Sequence, residues 1–124
     1  MVFSSSQKIT EIEDADDSFF VPISFDEYFK KQFPNIVSTD DHRRVSGDGF
    51  SFEYFVSSDL EGHTILSLDA ESALFEIVHA AKQNGWQLFD TGNGQMIDLD
   101  SPEENGYIGF RSYLDTVILS RNQR

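Results

Sequence analysis

Two apolar rhythms stand close together in this chain, and each admits one kind of backbone. Phe50, Phe52, Tyr54 and Val56 alternate with Ser51, Glu53 and Phe55, the period of two that a half-buried strand requires. Leu74, Ile77, Val78 and Ala81 recur at the spacing of one helix face. Between them, residues 57–62 carry turn chemistry, and His63 to Leu68 reads as the returning strand of a hairpin. Asp69 is placed to cap the helix and Glu71 to favour its first turn. Gly85 suits a left-handed C-terminal cap, with Trp86 packing back on the helix. A hairpin followed by an amphipathic helix implies an antiparallel sheet with helical cover.

The flanks repeat this alternation of types. Phe19, Phe20, Val21 and Ile23 suggest a short edge strand whose pairing Pro22 limits. Ser24 and Glu27 form a capping box, Ile23 and Tyr28 stand where a hydrophobic staple would place them, and Pro34 closes the helix they open. Residues 35–49 show no clear period and are expected to form a long loop. Residues 86–88 and 96–99 flank Asn93-Gly94, a strong hairpin signal. Ser101 and Pro102 open a last helical region, which Asn105-Gly106 interrupts before the stripe Tyr107, Phe110, Leu114, Val117 and Ile118. The order is helix, hairpin, helix, hairpin, helix. The expected fold is α+β: an antiparallel sheet of about four strands with three helices, mainly on one face. Residues 1–18, polar and acidic, read as a flexible arm, and residues 19–124 as a single domain.

Charge narrows the function. Nine Lys and Arg face 22 Asp and Glu, a formal net charge of −13 on 124 residues. Such a surface repels nucleic acid and anionic membranes and attracts a basic partner. There is no cysteine, which removes disulfides, thiolate metal sites and thiol nucleophiles. No apolar run nears the roughly 18 residues of a membrane span, and the N-terminal sequence lacks the pattern of a signal peptide, so a cytoplasmic location is expected.

Motifs for chemistry are sparse. The run Asp90-Thr91-Gly92-Asn93-Gly94 has neither the following helix of a phosphate loop nor the ligand spacing of a calcium loop. His42, His63 and His79 include no i, i+4 pair, so no metal or cofactor is expected. Asp98 and Asp100 would share one face of an extended strand. Phe55 and Glu53 would point away from the core, and an aromatic among carboxylates on an open sheet face can anchor a basic partner. The candidate partner-binding residues are Glu53, Phe55, Asp59, Glu61, Asp98 and Asp100. An alternative ligand site lies in the 35–49 segment, where His42, Arg43 and Arg44 could supply a base and an anion clamp.

In size, acidity, lack of cysteine and mixed α/β order, the chain resembles bacterial immunity proteins, which neutralise toxins such as secreted nucleases; the stretch Trp86 to Leu99 carries the impression. The resemblance is one of type and assigns no residue a role. It implies a non-enzymatic acidic protein that binds and neutralises a basic partner, with mimicry of nucleic acid by spaced carboxylates as a variant. Two further readings are a small enzyme or ligand-binding domain using the 35–49 segment, and a regulatory domain of a larger assembly.

Overall fold

The computed structural model describes residues 1–9, 11, 19–47, 49–56 and 62–122. The α+β class holds, and its strands divide into two antiparallel four-stranded sheets. In the first, β5 (His63–Thr64), β1 (Val2–Phe3), β7 (Gln87–Asp90) and β8 (Gln95–Met96) lie in that order. In the second the order is β2 (Val37–Thr39), β3 (His42–Gly47), β4 (Phe50–Phe55) and β6 (Ser67–Leu68).

Helix α1 (Phe25–Gln32) begins as its sequence predicts: the Ser24 side chain accepts the Glu27 amide at 3.2 Å. It buries Phe25 and Phe29. Phe29 sits among the rings of Phe33, Phe52, Tyr54 and Trp86, so aromatic contacts seal the helix to the second sheet. Helix α2 (Glu71–Asn84) buries Ala73, Leu74, Phe75, Ile77, Val78, Ala80 and Ala81. That is more than one stripe, because α2 packs on β4 and β6 of one sheet, on β7 of the other and on the C-terminal helix; a helix enclosed this way is apolar nearly all round. It ends at Gly85, whose φ of 70° needs no Cβ to be accommodated. Asp69 is not its cap. Ala70 holds that position, and the Asp69 carboxylate instead accepts the Ser51 hydroxyl.

The C-terminal helix α3 runs as Phe110–Tyr113, a π-helical Leu114–Ile118 and Leu119–Asn122. It buries Phe110 and Ile118, with Phe110 edge-on to Phe75 of α2. A 3₁₀ turn, Pro102–Asn105, precedes it and ends at Gly106.

Three expectations change. The arm over 1–18 is not an arm at its start: Val2 and Phe3 are fully buried and form β1, between β5 and β7. Its acidic part, residues 12–18, lies outside the described residues. The 35–49 segment is not a loop but the β2–β3 hairpin, paired onward to β4 in continuous register from His42↔Phe55 to Gly47↔Phe50. The returning strand at 63–68 is divided: His63–Thr64 pairs with β1 in the first sheet, and Ser67–Leu68 pairs with Phe52–Glu53 in the second. Gly62 permits the approach, with φ of 77° and a space in which a Cβ would lie 2.7 Å from the Val21 carbonyl oxygen.

Candidate functional site

Strand alternation sorts the second sheet into two faces. Arg43 and Val45 of β3 and Phe50, Phe52 and Tyr54 of β4 are buried beneath α1 and α2. The opposite face carries the cross-strand pairs Thr39–His42–Phe55 and Val37–Arg44–Glu53. Phe55 is 68% exposed and Val37 60%. The Phe55 ring lies against the His42 imidazole, centroids 5.0 Å apart. His42 Nε2 donates to Glu53 Oε2 at 3.2 Å, and Arg44 reaches the same oxygen at 3.5 Å and Asp69 at 3.6 Å. These exposed pairs fix side-chain positions more than they stabilise the fold.

At the Phe55 end the face is rimmed by the turn Asp40-Asp41. Both residues are exposed, Asp40 has a left-handed φ of 51°, and neither has an ion pair among the described residues. The Asp41 carbonyl accepts the Val56 amide at 2.7 Å, which fixes the turn to the end of β4.

The alternative site built from His42, Arg43 and Arg44 does not assemble. Adjacent strand residues point to opposite faces, so Arg43 turns inward while its two neighbours stay outside. Two of its three nitrogens are engaged: Nε with Asp26 at 3.2 Å, Nη1 with the carbonyls of Asp40 and His42 at 2.9 and 3.0 Å. Tyr54 donates to the same Asp26 oxygen at 2.8 Å. Burial, and after it this hydrogen bond, hold the Tyr54 phenol far above the usual tyrosine range, so it remains a donor. The cluster ties α1 to the sheet and takes Arg43 out of any site shared with His42 and Arg44.

The other candidates separate. Glu53 and Phe55 share the open face. Asp59 and Glu61 lie outside the described residues. Asp98 and Asp100 follow β8 and are not on a strand: Asp98 Oδ1 accepts the amides of Asp100 and Ser101 at 3.0 and 3.2 Å, while Asp100 pairs with Lys82 at 3.0 Å. A short polar side chain next to free amides makes its own turn, which ends the extended stretch that the sequence suggests. Both aspartates border a cleft of about 660 Å³ whose other walls are Ser5–Ile9 and Trp86–Gln87. Val37, Asp40 and Asp41 were not among the candidates. The alternation of Val37 with Thr39 ahead of an Asp-Asp turn is the signal that could have found them.

The glycine-rich run is a hairpin turn, as its Asn93-Gly94 indicates. Asp90 accepts the amides of Gly92 and Asn93 at 2.9 and 3.1 Å and the Tyr107 hydroxyl at 2.5 Å. Burial alone would raise the Asp90 pKa, but the hydrogen bonds from Tyr107, Asn93 and Gly92 outweigh it and hold the carboxyl below its ordinary value. Burial, then Asp90, pushes Tyr107 up to about 12 from 10.0. Because the folded value exceeds the unfolded one, this stabilisation is complete below pH 10 and is lost as pH rises toward about 12. Thermal melts across that interval are expected to decline more steeply for the wild type than for Tyr107→Phe. Parallel declines would show that the hydroxyl contributes nothing.

Among the described residues no three His, Asp or Glu side chains gather as a metal site needs, and no helix is long and apolar enough to cross a membrane. No family model, curated protein or solved structure matches the chain.

Proposed function

We propose that this protein is a non-enzymatic, acidic binding protein of the immunity or inhibitor type, which neutralises a cationic protein through the open face of its second sheet. One observation carries the reading: Phe55 stands 68% exposed on a sheet face that none of the described helices covers, a face it shares with an exposed Val37 and that the Asp40-Asp41 turn rims. A phenyl ring held in water on a rigid strand is a poor contributor to stability and a good anchor for a partner, since burying it yields about 1.5–3 kcal/mol. The net charge of −13 supports the choice of a basic partner, because long-range attraction raises the rate of encounter and the aromatic contact then slows release.

The test is capture of a protein of high isoelectric point on the immobilised chain at low salt, with release at high salt. Association is expected to slow sharply as salt rises to the physiological range, where charges more than about 8 Å apart are screened. Phe55→Ala is expected to weaken binding by at least about 1 kcal/mol while leaving the melting temperature unchanged. A salt-independent rate, or an equal loss of stability in the variant, would count against the proposal.

A further inference from the structure

We infer that the cationic partner binds by adding an extended segment to the free edge of β2, continuing the second sheet outward from Ser38. This rests on the proposed reading of the open face and specifies how the partner lies on it.

The backbone geometry assigns the edge. Val56 donates to the Asp41 carbonyl at 2.7 Å, so the odd-numbered positions of β3 turn their backbone groups toward β4 and His42 turns its own toward β2. Thr39 and His42 form the pair that closes the two-residue turn. Val37 and Thr39 therefore bond inward, and Ser38, between them, directs its N–H and C=O to the open side. All three residues of β2 are exposed. Natural edge strands are guarded by charged side chains, proline, a bulge or a covering element. The sequence Val37-Ser38-Thr39 has neither charge nor proline, and among the described strands it stands at the end of its sheet. Main-chain pairing at such an edge supplies affinity, and alternate side chains supply selection.

Charge selects the occupant. The edge runs directly into Asp40 and Asp41, whose carboxylates have no ion pair among the described residues. A second copy would also carry a net charge of −13, so two such chains repel one another as they approach. The fitting segment is extended, with β-branched residues beside Val37 and Thr39 and Lys or Arg at the end that meets the turn.

A capped peptide Lys-Lys-Val-Thr-Val-Thr is the probe, with Glu-Glu-Val-Thr-Val-Thr as its control, read by amide NMR and hydrogen exchange on the full chain. At saturating lysine peptide the Ser38 amide is expected to exchange at least about tenfold more slowly, and the glutamate peptide is expected to leave it unchanged. Ser38→Pro removes the outward donor at a position where an edge strand tolerates proline, and is expected to abolish the peptide-induced amide shifts of the neighbouring Val37 and Thr39. N-methylation of the threonine between the peptide's two valines, the residue that faces Ser38, tests the same pairing with the protein intact. Replacing both turn residues, Asp40→Asn with Asp41→Asn, is expected to weaken binding by up to about tenfold. Lysine-peptide binding that survives both Ser38→Pro and N-methylation would overturn the edge inference, while the Phe55 reading would stand. A dimer that forms without peptide and is lost in Ser38→Pro would overturn it in favour of a second copy. Loss of the captured partner in Ser38→Pro but not in Phe55→Ala would support the edge and reject the open face as the anchor.

Discussion

Asp26→Ala is expected to destabilise the fold by about 3 kcal/mol or more, the range found when one member of a buried ion pair is removed. The carboxylate is the only acidic partner of Arg43 among the described residues, at 3.2 Å, and the two side chains are 13% and 11% exposed. Without it, the guanidinium stays buried beneath α1 with its charge uncompensated, and the Tyr54 hydroxyl loses its acceptor. The pair itself need not be the source of stability. Combining Asp26→Ala with Arg43→Met removes the stranded charge and fills part of the space, and is expected to recover most of the loss. Lys30 also pairs with Asp26, at 3.3 Å, but is 46% exposed. Lys30→Ala is therefore expected to change stability by no more than about 0.5 kcal/mol. Urea unfolding followed by fluorescence of the single, buried Trp86 measures all four proteins. A loss below about 1 kcal/mol in Asp26→Ala would mean that water replaces the carboxylate and that the cluster does not fix α1 to the sheet.

The same cluster explains why the sequence concealed part of the fold. Elements defined by local chemistry were legible: the Ser24 cap, the Gly85 stop and the Asn93-Gly94 hairpin each depend on residues a few positions apart. The β2–β3 hairpin was not, because its inward positions are occupied by Arg43 and Val45. An arginine at a core position breaks the polar–apolar alternation that marks a strand, and its charge is balanced there by the distant Asp26. The site inherited the same difficulty. Phe55 could be recognised as outward-facing from the alternation of β4 alone. That His42 and Val37 lie on its face, and that Asp40-Asp41 rims it, depends on a hairpin whose strand signal was masked. Sequence reasoning set His42 and Arg44 against Glu53 and Phe55 as rival sites. Register joins the four on one surface and removes Arg43 from it. The pairing of Asp98 with Asp100 failed for a different reason: in a chain with 22 acidic residues, carboxylates two positions apart arise by chance.

Phe3→Ala is expected to cost about 3–5 kcal/mol, as large-to-small changes at fully enclosed aromatic positions do. Phe3 has no exposed surface and packs its ring against Phe20 with centroids 5.6 Å apart. A strand of two residues has no period of its own, so nothing local marks β1 as a strand. Its stability derives from partners far along the chain: Val2 pairs with Thr64 and Leu88, and Phe3 with His63 and Gln87. Because β1 is the inner strand that joins β5 to β7, weakening it divides the first sheet and leaves the second with its own register. Hydrogen exchange in Phe3→Ala is therefore expected to speed up at Leu88 and Phe89 before it does at Phe52 and Tyr54. The pattern matters as much as the magnitude. Uniform loss of protection would make the two sheets one cooperative unit, whereas selective loss would leave β4 and its exposed Phe55 intact in a half-opened molecule. A change below about 1 kcal/mol would mean that the buried Phe3 contributes little and that these first residues behave as the loose arm their composition suggests.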